Sequence, residues 1–124
     1  MRKIYLAGGF TDDWQERVVA ALPGCQLLDP RSWQDPSPAI YTERDLAAIR
    51  EADIVFVYMN SANPSGYGLS IEIGYAYGIG KPIVFCDHIT KDWRSKYFGM
   101  ARTMASAVFC EFEDCIAYIK NMQA

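Results

Sequence analysis

The sequence predicts a three-layer α/β domain built on a parallel sheet. Two observations point there. Short, continuous apolar runs recur along the chain, and amphipathic helical stretches separate them. A strand that is apolar on both faces must be covered on both, which is the condition of a parallel sheet with helices above and below it. With 124 residues, 51% of them hydrophobic, the chain can form one domain around one core, expected over residues 1–124.

The first run, residues 3–7, ends at Gly8-Gly9. Thr11 or Asp12 caps a helix to about Leu22, with Val18, Val19 and Leu22 on its apolar side, and Pro23-Gly24 stops it. Residues 25–28 make a short second strand, and Asp29-Pro30 turns away from it. A proline-rich loop over 31–39 leads to a helix over 39–52. Residues 54–58 are the third strand, followed by a glycine-rich loop and a helix starting near Gly68. Residues 83–86 are the fourth strand, 87–97 an irregular polar stretch, and 98–105 a short helix. Residues 107–110 form the fifth strand, and a closing helix over 113–122 turns Ile116 and Ile119 inward with Tyr118 beside them. Five strands with right-handed crossovers favour a doubly wound, flavodoxin-like order, a five-stranded parallel sheet in an α/β/α sandwich. Its ligand crevice opens beyond the carboxyl ends of the strands, where the winding reverses. That reversal falls between the first and third strands, so Gly8, Gly9 and Phe10 and the loop over 60–68 are predicted to line one pocket.

Composition narrows the function. A net charge of −3 lacks the basic footprint of a protein that binds a nucleic acid polymer. No apolar run approaches the ~20 residues that span a bilayer, and the amino terminus enters a strand without a signal-peptide core. Four cysteines without CxxC spacing and the single histidine, His88, argue against zinc. Cys86 and Cys110 fall in strands and read as buried free thiols, which suits a reducing cytoplasm. The aromatic share of 14% suits a site for a flat ligand as well as it suits core edges.

Two carboxylates stand out. On a helix starting near Gly68, positions 69, 72, 73 and 76 share a face, which places Glu72 at the edge of the apolar stripe of Leu69, Ile73 and Ala76. There it is either a partner of the helix macrodipole or a partly screened nucleophile. Asp45 borders the stripe of Leu46 and Ile49 in the same way, and is either paired with Arg44 or Arg50 or aimed at the crevice. Two carboxylates facing one crevice is the arrangement of glycoside-cleaving enzymes. Ser70, Gly74 and Gly78 leave one helix face nearly bare, for close packing on the sheet or on another subunit. The loop over 64–68 offers backbone N–H groups to an anion, although it lacks a Walker lysine, and Gly8-Gly9 is no dinucleotide fingerprint. Asp29 and Arg31 follow the second strand and read equally as a turn or as crevice residues.

These residues carry a resemblance to a known family. Ile4-Tyr-Leu-Ala-Gly-Gly9, Asp45-Leu-x-x-Ile49 with Ala52-Asp-Ile-Val55, and Gly68-Leu-Ser-Ile-Glu-Ile-Gly-Tyr-Ala76 leading to Gly80-Lys-Pro82 occur in order over most of the chain. In this the chain resembles the nucleoside 2-deoxyribosyltransferase-like group, which includes the 2′-deoxynucleoside 5′-phosphate N-hydrolases. The resemblance implies that Glu72 is the nucleophile attacking the anomeric carbon and that Asp45 positions the nucleoside and assists proton transfer at the base. It implies that Tyr5 lines the pocket and that Gly8, Gly9 and Phe10 border base or sugar. Asp29 and Gly68 are counted with these substrate-binding candidates. Ser65 and Gly66 fall where the hydrolases hold a 5′-phosphate. Transferases acting on free nucleosides carry an aspartate six residues before the nucleophile, and here that position is Gly66. The implied partners are a nucleoside or its 5′-monophosphate, a free nucleobase and further copies of the chain in a homo-oligomer, with no metal and no redox cofactor.

Overall fold

In the computed structural model, which describes residues 1–122, five parallel strands form one sheet. They are β1 (Lys3–Gly8), β2 (Gln26–Leu28), β3 (Ile54–Met59), β4 (Ile83–Asp87) and β5 (Ala107–Phe109). Their order, β2-β1-β3-β4-β5, is the doubly wound order expected from the sequence, with the reversal between β1 and β3. The helices are α1 (Trp14–Ala21), α2 (Pro38–Glu51), α3 (Tyr67–Gly78), α4 (Gly99–Met104) and α5 (Phe112–Asn121).

Strand alternation sorts the core into two layers. Tyr5 and Ala7 of β1 and Val55, Val57 and Met59 of β3 face α2, α3 and α4, against Ile49, Leu69, Ile73 and Ala101. Ile4, Leu6, Ile54 and Phe56 face the other way, against Trp14 and Val18 of α1 and Cys115 and Ile119 of α5. Every residue of β3 is buried, as its unbroken apolar run requires. Lys81, just after α3, joins that helix to α2 in the same layer: its Nζ donates to the carbonyls of Arg50 and Ala52 at 2.9 and 2.6 Å, closing the carboxyl end of α2.

Several local expectations change. The N-cap of α1 is Asp13, while the Asp12 carboxylate accepts the Trp14 N–H at 3.1 Å. Trp14 and Gln15, not Val19, join Val18 and Leu22 in the interior, because the helix begins later and rotates Val19 outward to 45% exposure. Residues 30–33 and 93–98 are 3-10 helices rather than loop, each capped by the preceding aspartate through an N–H two residues on. Cys86 is buried, but β5 stops at Phe109 and leaves Cys110 exposed. In α5 it is Phe112 and Cys115 that accompany Ile116 and Ile119 inward, while Tyr118 sits at the surface against Phe109. A β-carbon on Gly74 or Gly78 would meet nothing within 4 Å, so the bare face of α3 is not packed on the sheet. No helix among the described residues is long and apolar enough to cross a membrane.

Candidate active site

The carboxyl end of β1, α2 and the start of α3 enclose a two-lobed cleft. One lobe, of about 430 Å³, is walled by Gly8 and Gly9, by Thr42 and Leu46 of α2, by Asn63 and Ser65, and by Gly68 and Glu72 of α3. The other, of about 280 Å³, is walled by Phe10, Pro30, Trp33, Gln34 and Asp35. Tyr41 and Asp45 belong to both and mark the junction. The two sequence-predicted carboxylates therefore meet in one cleft at the switch point of the sheet.

Each carboxylate is held by a neutral donor. The Tyr5 hydroxyl donates to Glu72 Oε2 in a short hydrogen bond. Trp33 Nε1 donates to Asp45 Oδ1 at 2.8 Å, replacing the arginine partner expected from the sequence. Glu72 lies in the second turn of α3, since no acidic residue occupies its first turn, so macrodipole pairing does not account for it. Burial pushes the Glu72 carboxyl up to about 8; the Tyr5 hydrogen bond opposes that shift, and the Asp45 charge adds to it. Burial also raises Asp45, while its hydrogen bonds with Trp33 and Glu72 pull it down. Burial thus favours the protonated form of Glu72 near neutral pH, beside an Asp45 whose carboxyl is also raised. The Tyr5 phenol is held far above its ordinary range, first by burial and then by Glu72, so it remains a donor.

The other candidates separate. Gly8, Gly9, Ser65 and Gly68 wall the larger lobe and Phe10 the smaller. Gly8 must be glycine: a β-carbon there would lie 2.6 Å from the Tyr58 carbonyl and 2.8 Å from the Trp14 ring. Tyr5 is fully buried and meets Glu72 from below instead of forming wall. Asp29 caps the first 3-10 helix and forms an ion pair with Arg31 at 2.6 Å, and it is not among the residues walling either lobe. Gly66 sits under the wall at φ 73°, where a β-carbon would be 2.6 Å from Phe98 Cζ. The amides of Ser65 and Gly66 donate to Asn63 Oδ1 at 3.4 and 3.0 Å, so the loop uses them internally rather than offering them to an anion.

Four contributors escaped the sequence reading. Trp33 lies in a stretch without periodicity, and only its place among prolines near an acid marked it. Asn63 organises the loop; its position three residues before a left-handed glycine was the available signal. Tyr41 joins the lobes from α2. Arg94 pins the loop from the second 3-10 helix, donating to the carbonyls of Asn63, Pro64 (2.9 Å) and Ser61 (3.0 Å), while paired with Asp92 at 2.8 Å.

The fold and cleft define a class: a doubly wound α/β domain with two carboxyl groups lining one cleft at its switch point. The nucleoside 2-deoxyribosyltransferase-like family model matches residues 1–90. The chain belongs to that family. It is similar in structure to a 2-deoxyribosyltransferase from the psychrotolerant bacterium Bacillus psychrosaccharolyticus, at 25% identity over 98% of this chain and 92% of the other, with a TM-score of 0.69. A 2-deoxyribosyltransferase from Leishmania mexicana shares the fold at 22% identity, over 99% and 100% of the two chains, with a TM-score of 0.71. So does the CMP N-glycosidase of Clostridium botulinum, at 19% identity over 96% and 98%, with a TM-score of 0.66. Among curated proteins none is significantly similar.

Proposed function

We propose that this protein cleaves the N-glycosidic bond of a (deoxy)nucleoside through a covalent glycosyl-Glu72 ester and passes the sugar to another nucleobase. The observation that carries this reading is that Glu72 and Asp45 line one cleft at the switch point of the sheet, with Tyr5 donating to Glu72. As substrate binds, the proton on Glu72 shifts toward Asp45. A Glu72 oxygen then bonds to the anomeric carbon, the carbon–nitrogen bond breaks, and the departing base takes the proton from Asp45. The proton required by the leaving group is thus the one the resting pair already holds. In the second half a new base attacks the anomeric carbon, returns a proton to Asp45 and releases Glu72. Two displacements retain configuration.

A second reading, hydrolysis of a nucleoside 5′-monophosphate with water as acceptor, is favoured by Gly66. The aspartate of free-nucleoside transferases does not fit there beneath Phe98. Ser65, with Thr42 and Asn63, supplies neutral polar groups in the larger lobe for a 5′ substituent. A homo-oligomer is part of either reading. Tyr67, Ile71, Trp93 and Tyr97 are 68–78% exposed and follow one another along adjoining cavities beside the cleft, and the bare face of α3 is open.

The test is to incubate the protein with deoxynucleosides, ribonucleosides and their 5′-monophosphates, with and without a second base, and follow the bases by chromatography. Exchange that requires an added base supports transfer; base freed without one supports hydrolysis. No turnover, with nucleotide binding that survives Glu72→Ala unchanged, would leave a binding module in place of an enzyme.

A further inference from the structure

We propose that the smaller lobe is selective for nucleobases carrying an exocyclic amino group, cytosine or adenine over uracil or hypoxanthine, and that Asp35 is the residue that discriminates. This rests on the reading of the cleft as a glycosyl-transfer site.

The lobe is the size of a base and aromatic on several sides, with Phe10, Trp33 and Tyr41 in its wall and a volume of about 280 Å³. Such walls stack any base and discriminate little among them, because every base has a π face. Selection must come from the polar atoms. The indole N–H of Trp33 is already committed to Asp45 Oδ1 at 2.8 Å. Gln34 offers both a donor and acceptors, and the Tyr41 hydroxyl offers both as well, so each pairs with an amino or an oxo edge. Asp35 breaks that balance. Its Oδ1 accepts the Ser37 N–H at 2.9 Å, which fixes the carboxylate in the wall, and among the described residues Oδ2 has no partner. Asp45 adds a second carboxylate to the same lobe.

A carboxylate accepts and does not donate. An amino group beside a ring nitrogen, as in cytosine and adenine, presents it with an N–H. When that ring nitrogen takes up a proton the edge becomes a two-donor fork of the kind a carboxylate binds with both oxygens. An oxo base presents the N–H of that ring nitrogen but sets its oxygen against the second carboxylate oxygen, so it offers one donor where the protonated amino base offers two. Sites built to pair a substrate N–H reject the analogue lacking it far more strongly than apolar pockets reject a missing methylene.

The experiment uses matched pairs differing only in amino against oxo: deoxycytidine with deoxyuridine, deoxyadenosine with deoxyinosine, and their 5′-monophosphates. Base release is measured for the full chain and for Asp35→Asn, which keeps an oxygen for the Ser37 N–H and replaces the other by a donor. The free bases are titrated calorimetrically into both proteins. The expected result is a preference for the amino member of roughly 10-fold or more in kcat/KM and in affinity, falling to about 3-fold or less in Asp35→Asn. Gln34→Ala is expected to weaken both members alike. Equal use of both members by the unaltered protein, a preference that survives Asp35→Asn, or no binding of any base overturns the proposal. Selective binding of cytosine and adenine that Asp35→Asn removes, with no turnover of any nucleoside, upholds the selectivity and overturns the glycosyl-transfer reading instead.

Discussion

Tyr5 and Glu72, 67 positions apart, are joined by a hydrogen bond from phenol to carboxylate, a polar link in the apolar layer between β1 and α3. The strand is rigid, being paired with β2 on one side and β3 on the other at Tyr5 itself. The carboxylate on the helix therefore inherits its position from the centre of the sheet.

Removing that donor is expected to slow the chemistry more than binding. In Tyr5→Phe the ionised form of Glu72 loses the interaction that favours it, so kcat should fall about 10- to 100-fold with KM little changed. The upper pH limit of activity should also move to higher pH, since the carboxyl pair would hold its proton more tightly. Steady-state base release between pH 6 and 10 reads both effects, and an unshifted profile with normal kcat would show that the hydroxyl is only packing.

The pair requires one proton to give to the departing base. With Glu72 raised to about 8, kcat/KM should decline above about pH 8, as the resting pair loses that proton. Asp45→Asn should remove this alkaline decline and lower kcat about 10²- to 10⁴-fold on natural nucleosides. A deoxyriboside whose leaving group departs without protonation should be much less affected by the substitution. Equal losses on both kinds of substrate would argue that Asp45 positions the sugar instead.

Glu72 is expected to cost the fold stability where it is ionised. Its folded-state value of about 8 stands above the ordinary 4.5, so between these values the folded chain binds more protons than the unfolded one. Stability is then lost as pH rises through that window, and the full cost is felt above it. Glu72→Gln should leave the melting temperature at pH 4 nearly unchanged, raise it by about 5 °C or more at pH 8.5, and reduce activity ~10³-fold or more. A melting temperature that rises equally at both pH values would point to packing rather than charge.

Gly66 tests the loop. Gly66→Asp places a β-carbon against Phe98 in a left-handed backbone, and destabilisation of about 2–4 kcal/mol is expected by chemical denaturation. Gly68→Ala, where a β-carbon meets nothing within 4 Å, serves as the control and should fall near zero or stabilise slightly. Similar losses in both would mean that helix-terminal glycines, not the contact with Phe98, set the cost.

What could be read from the sequence divides along physical lines. β1, β3 and β4 announced themselves because their burial on both faces leaves unbroken apolar runs, and chirality then restricted their order. Glu72 and Asp45 were visible because helical periodicity places a charge against an apolar stripe. Asp45's partner was not visible, because Trp33 sits 12 residues away on a 3-10 helix whose direction depends on tertiary packing. Val19 and Tyr118 were misplaced by one helical step, since a shift of one residue turns a side chain by ~100°. For Asp29 the sequence left turn and crevice equally open, and the structure shows it capping a 3-10 helix and paired with Arg31.

Phe98 and Gly66 together constrain the order in which such a cleft can diverge. A β-carbon at 66 needs the space that the Phe98 ring and the Met59 sulfur occupy, so both must give way before a larger residue is accommodated. The two positions belong to segments that Arg94 also fastens together, so a deletion in the stretch following β4 would be felt in the substrate loop. A larger side chain at position 66 therefore depends on a residue outside the walls of the cleft. Libraries that randomise only the cleft's walls will not sample it.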